Sequence, residues 1–354
     1  MGFYEDLLEE QVEAAAQKGA YLIRPHDVIT LTGADRVRFL NGQVTCEIKG
    51  LEPLAMAYGY FTTAKGRIES DLVVQVDIDE LRIVLPSGMG GKILERLRKY
   101  LITDRVELSL RETQGFYVFG QAGMRLLDPL GIALPEEPWR WVPFELQYQL
   151  QTLMRLPDLG LGRDLPCLVL IAEDAERNAE TLAQTGLMQL DEEAYQQLRI
   201  EAGWPQAGKD YGEDAFPQEV GIEVAVSYTK GCYLGQEVVA RIHYRGGVQR
   251  HLRGLLVELE YEPRHNEMPL PLQLDGQEVG KLTSLATLPR GDKRLALGII
   301  HQKAAPGSQL ELLDGDGDVC GVGEVVALPF PAPAAPPEPE PEPMPDLPDD
   351  APVN

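Results

Sequence analysis

Lys230-Gly231-Cys232-Tyr233-Leu234-Gly235-Gln236-Glu237 opens the stretch 230–253, KGCYLGQEVVARIHYRGGVQRHLR, on which the reading of this chain turns. Gly231 and Gly235 bracket a cysteine, as expected of a turn that holds Cys232 near the surface. The stretch carries five cations (Lys230, Arg241, Arg245, Arg250, Arg253) and one acid, Glu237. It is a basic exception in a 354-residue chain of formal net charge −24. A neighbouring lysine favours thiolate over thiol, which makes Cys232 a candidate reactive group. The competing reading is a small buried cysteine beside a solvated basic face, because free cysteine is among the most buried residue types.

Working outward, the acid excess argues against a general nucleic-acid binder and against docking on anionic lipid. Apolar runs such as Leu168 to Ala172 are far shorter than the roughly 18 residues of a membrane span. The opening Met1-Gly2-Phe3-Tyr4-Glu5-Asp6 is acidic, unlike a signal peptide. Cys46, Cys167, Cys232 and Cys320 lie far apart with no CxxC, which fits neither a disulfide framework nor a zinc site. A cytoplasmic protein with free thiols, no resident metal, no membrane and no nucleic-acid partner is expected, and a monomer suffices.

Residues 331–354 hold 10 of the 27 prolines and six acids, which leaves −18 for the rest of the chain. Proline denies such a segment helical and ladder hydrogen bonds, so an extended, polyproline-like, disordered tail is expected.

The remainder reads as α+β. Leu7, Leu8, Val12 and Ala15 recur at helical spacing, with Gly19 as a stop. A short strand is expected at 29–32, a helix at 34–40, strands at 56–62, 72–76 and 81–85, a helix at 92–101 and a strand at 106–110. Further strands are expected at 116–119, 153–156 and 167–171, with helices at 174–184 and 192–202. Beyond Arg250 helical spacing disappears, and short strands at 252–259, 277–282, 295–300 and 323–328 indicate a small β-barrel or sandwich. Two motifs are decoys. Asp314-Gly315-Asp316-Gly317-Asp318 resembles a calcium loop but has Val319 and Val325 where glycine and glutamate are required, so a hairpin turn is expected. Ser87 to Lys92 fails the phosphate-loop spacing at Pro86 and Ile93 and reads as a strand-to-helix turn.

The stretch 230–237 resembles the K-G-C-[YF]-x-G-Q-E signature of the YgfZ family, folate-binding proteins related to the T-protein (aminomethyltransferase) of the glycine cleavage system. Phe39 to Thr45 (FLNGQVT) resembles the family's amino-terminal [FY]-L-x-G-Q-[VL]-[TS] stretch, and Leu198 to Gly203 (LRIEAG) a helix end shared with T-proteins. In order and spacing the resemblance covers about residues 20–330. It implies three domains around a central folate-binding opening: 1–50 with 113–249, an insert at 51–112, and a carboxy-terminal barrel at 250–330.

The resemblance also implies chemistry. A pterin donates paired N–H groups, for which a carboxylate is the natural bidentate acceptor, and Glu201 is the family-mapped candidate. Lys230, Gly231, Tyr233, Gly235, Gln236, Glu237 and Arg241 are further candidates for holding tetrahydrofolate or its polyglutamyl derivative, with Arg241 offering counter-charge. T-proteins place a catalytic aspartate in a G-x-x-x-D-D-L stretch. Here Gly66 to Leu72 keeps one of its two acids, Asp71. The signature cysteine marks the branch associated with iron–sulfur assembly or repair, which implies iron–sulfur client enzymes as partners and Cys232 as the key thiol. A lone thiolate holds no stable cluster, which normally takes four ligands. The expected function is a tetrahydrofolate-binding accessory protein. The alternative is a folate-dependent aminomethyltransferase or demethylase working through Asp71.

Overall fold

A computed structural model describes residues 2–127, 131, 133–146, 149–156, 166–172, 175–264 and 267–330. The proline-rich tail read at 331–354 lies outside them.

The chain opens with helix α1 (Gly2–Gln17), whose Leu8, Val12 and Ala15 face the interior. Strand β1 (Ala20–Thr32) follows and organises the first sheet. It pairs antiparallel with β4 (Glu80–Pro86) on one side and along its whole length with β5 (Glu107–Phe119) on the other. The expected strand covered only 29–32. Arg24, Pro25, His26 and Asp27 interrupt the apolar pattern, yet they are strand residues, because this part of the strand borders a cavity.

Helix α2 (Arg36–Asn41) leads to the hairpin β2 (Met56–Thr62) and β3 (Ile68–Val76), and α3 (Gly90–Tyr100) follows β4. Asp27 Oδ2 accepts from the Gly90 amide at 2.6 Å and so caps the start of α3. Beyond β5 come α4 (Gly120–Arg125), β6 (Arg140–Leu146), β7 (Gln149–Leu156), β8 (Cys167–Ala172), α5 (Ala175–Gln184), the short β9 (Met188–Gln189) and α6 (Glu192–Glu201). The sheet order is β2-β3-β4-β1-β5-β8-β7-β6, with β9 parallel to β1. It runs unbroken through position 112/113, where the sequence placed a boundary. Its two outer strands meet at a bridge between Ala55 and Arg140, so the sheet curls back on itself. Trp141, fully buried, donates its indole N–H to the Val76 carbonyl at 3.0 Å and locks that closure.

Ile29, Leu31, Phe61, Leu72, Val74, Ile83, Ile93 and Leu97 form one core with α2 and α3. Leu22, Val28, Phe119, Trp141, Val169 and Leu198 form another with α1 and α6. Gln11 joins those two helices across 180 residues of sequence: its amide donates to Asp191 Oδ2 at 3.0 Å, and its oxygen accepts from the Asp191 amide at 2.8 Å.

After α7 (Pro217–Val220) and α8 (Gln236–Arg245) the chain enters a closed barrel. Its strands are β10 (Arg250–Leu259), β11 (Leu270–Leu274), β12 (Gln277–Arg290), β13 (Lys293–His301), β14 (Gln309–Leu313) and β15 (Val319–Val326), in the order β10-β13-β12-β11-β14-β15. Asp314 to Asp318 is the β14–β15 hairpin turn: Asp314 Oδ1 accepts from the Asp316 and Asp318 amides at 3.0 and 2.9 Å. The barrel joins the body through a buried polar seam. Arg199 Nη1 lies 2.7 Å from Asp210 Oδ2 with both side chains fully buried, and Asp210 Oδ1 accepts from Thr283 and Ser284 on β12 at 2.7 and 2.6 Å.

Candidate functional site

Where β1, β3 and β5 face α6, the structure forms a cavity of about 380 Å³ that opens to solvent. Its size falls in the range of small-molecule sites, roughly 300–1,000 Å³. Arg24 and His26 reach it from β1, Tyr58 from β2, Asp71 from β3, Tyr117 from β5 and Tyr195 from α6. Trp139 and the segment Trp204 to Ala207 complete the wall.

Asp71 is the one carboxylate on this lining among the described residues. Its Oδ2 accepts from the Tyr58 hydroxyl at 3.2 Å, while Oδ1 is buried with no hydrogen-bond partner among the described residues. Burial raises its pKa; the Tyr58 bond and the Arg24 charge oppose this. Burial first, and the Asp71 charge second, push the Tyr58 and Tyr211 hydroxyls well above their ordinary value, so both remain protonated donors. An orphaned carboxylate oxygen in a partly apolar wall is costly unless a ligand donates to it.

The other polar groups are fixed. His26 Nδ1 is 3.0 Å from the Leu85 carbonyl and Nε2 is 2.9 Å from the Tyr117 hydroxyl. Burial lowers its pKa, so the neutral ring carries its proton on Nδ1 and accepts from Tyr117. Arg24 lies over the Tyr195 ring, 4.5 Å from its centroid, and supplies the only permanent cation on the lining among the described residues.

The signature segment occupies a different place. Thr62 Oγ1 donates to the Leu234 carbonyl at 2.6 Å, and the Leu234 amide donates to the Gly42 carbonyl at 3.2 Å. Two of the three stretches that carry the family resemblance, 39–45 and 230–237, therefore pack against each other and against the β2–β3 hairpin. Gly235 precedes α8 with φ +86°, and a Cβ there would stand 2.4 Å from the Thr63 carbonyl oxygen, so glycine is required. Asp71 pairs across the sheet with Tyr60, which lies two residues along β2 from Thr62, about 7 Å at 3.3 Å per residue.

Lys230 points inward. Its ammonium donates to the Val44 carbonyl at 2.9 Å and to the Cys46 carbonyl, and burial lowers its pKa to about 8 against the opposing effects of Cys46 and Glu47. The expectation that it serves Cys232 is corrected: the buried ammonium is committed to these backbone oxygens. Tyr233 is buried with its ring 5.4 Å from that ammonium. Gln236 Nε2 donates to the Lys230 carbonyl at 3.4 Å. Gly231, Cys232, Glu237 and Arg241 are exposed. Glu201 is half-buried at the end of α6, where Oε1 accepts from Gln197 Nε2 at 2.7 Å, and it is not on the cavity lining. Of the candidates read from the sequence, the cavity gathers Asp71 alone. Arg24, His26, Tyr58, Tyr117, Tyr195 and Trp204 were missed. The available signal was the polar interruption at 24–27 of an otherwise apolar strand.

Among the described residues, no three histidine, cysteine or acidic side chains come together to hold a metal ion. No described helix is long and apolar enough to cross a membrane.

The fold is that of the T-proteins. The aminomethyltransferase T of the glycine cleavage system from Bartonella henselae matches with a TM-score of 0.79 over 91% of this chain and 89% of that one, at 18% identity. No protein-family model matches the chain. Curated relatives narrow the assignment. A protein of Yersinia pseudotuberculosis serotype O:1b named tRNA-modifying protein YgfZ is 31% identical over 227 residues, 64% of this chain and 67% of the relative. Its namesake in Sodalis glossinidius is 27% identical over 307 residues, covering 86% and 90%. The chain belongs to the YgfZ family.

Proposed function

We propose that the protein binds tetrahydrofolate, or a polyglutamyl derivative, in the Asp71 cavity and acts as an accessory protein for assembly or repair of iron–sulfur enzymes, with Cys232 as its exposed thiol. The observation that carries the folate half is the unpartnered Asp71 Oδ1 inside an aromatic cavity. A pterin offers flat faces to Tyr58, Tyr117 and Trp204, and N–H groups to a carboxylate. Asp71 takes the acceptor role assigned from the sequence to Glu201, because Asp71 lines the cavity and Glu201 does not. Arg24 supplies counter-charge for an anionic ligand from within the cavity, and Arg241, exposed on α8, is not on its lining. When bound, tetrahydrofolate would supply one-carbon carrier chemistry.

Cys232 is exposed among the free cysteines, whereas Cys46, Cys167 and Cys320 are buried. One thiol contributes a single ligand or a transient bond to a client. The relatives are named for tRNA modification. A net charge of −24 disfavours RNA binding by the chain as a whole, so we place it beside the modifying enzyme rather than on the RNA.

The test is saturable binding of tetrahydrofolate to the purified protein, weakened in Asp71→Asn, together with recovery of iron–sulfur enzyme activity in a deletion strain. No saturable binding ends the folate half. Full recovery by Cys232→Ala ends the thiol half. The raised pKa of Asp71 favours a second reading, one-carbon transfer with Asp71 as general base. Turnover of methylamine-bearing substrates, absent in Asp71→Asn, would support it.

A further inference from the structure

Helix α8 presents an outer face that no described residue covers. Glu237, Arg241 and Tyr244 recur at i, i+4 and i+7 and share one stripe, with Arg245 one turn beyond Arg241. Arg241, His243 and Arg245 are exposed, and Tyr244 is 65% exposed. No ion pair engages Arg241 or Arg245 among the described residues. The aromatic groups are organised: the His243 ring stacks on Tyr228 at 3.6 Å between centroids and meets Tyr244 edge-on at 4.7 Å. Gln218 holds the platform from α7, donating to the Val239 carbonyl at 2.8 Å and to the Tyr228 hydroxyl at 3.4 Å. Stacked, exposed aromatic rings flanked by arginines suit an extended, proline-rich, acidic segment. Proline rings pack on aromatic faces, and carboxylates pair with guanidinium groups.

The chain carries such a segment. We propose that the outer face of α8 is the docking surface for the protein's own residues 331–354. Six acids, Glu338, Glu340, Glu342, Asp346, Asp349 and Asp350, alternate there with prolines. The segment starts within reach. The Phe330 ring packs against Gly254, and Gly254 is nine residues from Arg245, at most about 32 Å of chain. In polyproline geometry the eight residues to Glu338 span about 25 Å and all 24 span about 74 Å. The acids thus arrive where the arginines are, with chain to spare. Glu237 is the one acid on the stripe, and the docked segment would lie against Arg241, Tyr244 and Arg245.

The test uses the full-length chain with its tail neutralised (E338Q/E340Q/E342Q/D346N/D349N/D350N) and a dye-labelled peptide of residues 331–354, read by fluorescence anisotropy at low salt. The peptide is expected to bind the neutralised chain with a Kd of about 100 μM. The native chain, whose own tail competes at an effective concentration of about 1 mM, should bind it about tenfold more weakly. Adding R241E/R245E to the neutralised chain should abolish binding, and Y244A should weaken it a few-fold, with unfolding midpoints unchanged in both. Equal binding to native and neutralised chains, binding that survives R241E/R245E, or no binding at millimolar peptide overturns the proposal. So does a native chain that light scattering shows to pair tail-to-patch between two copies. A patch that takes a single-stranded oligonucleotide but not the peptide also overturns it.

Discussion

The cavity and the signature segment divide the molecule's chemistry in opposite ways. The signature is contiguous in sequence, and much of it is spent on structure: Lys230 and Tyr233 are buried, Gly235 accommodates a carbonyl, and Leu234 bonds to Gly42. Only its exposed members, chiefly Cys232, are open to a partner. The cavity is scattered over Arg24, His26, Tyr58, Asp71, Tyr117, Tyr195 and Trp204, with no motif among them. Yet it holds the unpartnered carboxylate. A sequence signature here marks where elements lock together, and the proposed ligand chemistry sits where several elements face one another.

The comparison breaks most severely if the seam behind the cavity is cut. Arg199→Met leaves Asp210 buried without its counter-charge and should cost about 3–5 kcal/mol in urea unfolding. Because Trp204 to Ala207 form the wall between these two residues, tetrahydrofolate affinity should fall as well. If stability falls and affinity does not, the cavity wall is independent of the seam.

Asp71→Asn should weaken tetrahydrofolate binding by about 1.5–3 kcal/mol, measured calorimetrically, since a charged acceptor is lost. It should also stabilise the ligand-free protein at neutral pH. The folded-state pKa of Asp71 is raised, so the folded chain holds its proton more tightly than the unfolded chain. Stability is therefore lost as pH rises from the unfolded carboxylate value, about 3.9, through the folded one. The gap between variant and parent should close below that window. A variant less stable than its parent at pH 7 would refute the unpartnered reading of Oδ1.

Gly235→Ala places a Cβ against the Thr63 carbonyl at a positive φ and should cost about 1–3 kcal/mol, with binding affinity unchanged. The smallest effect sharpens the comparison furthest. Cys232→Ser should move stability by no more than about 0.5 kcal/mol and leave tetrahydrofolate affinity intact, while failing to restore iron–sulfur enzyme activity in a deletion strain. A loss of folate affinity in Cys232→Ser would join the two regions into one site.

Regular alternation and helical spacing made most elements legible, and β2 was read to the residue. What escaped was governed by contacts between distant segments. The strand β1 was cut short because its cavity-facing residues are polar. Helix α8 was overlooked because glycines and charges dominate its segment, although Val239 and Ile242 keep a helical inner face. Strands β6, β11 and β14 were also missed. Asp71 was found through the T-protein resemblance, and its aromatic neighbours were not, because each belongs to a different element.

The paired hydrogen bonds between Gln11 and Asp191 set a schedule for the chain on the ribosome. At roughly 5–20 residues per second, about ten to forty seconds separate the synthesis of the two partners. Through that interval α1 has been made, and the helix that covers Leu8 and Val12 has not. The nascent chain thus carries the apolar stripe of α1, Leu8, Val12 and Ala15, open to chaperones until α6 emerges.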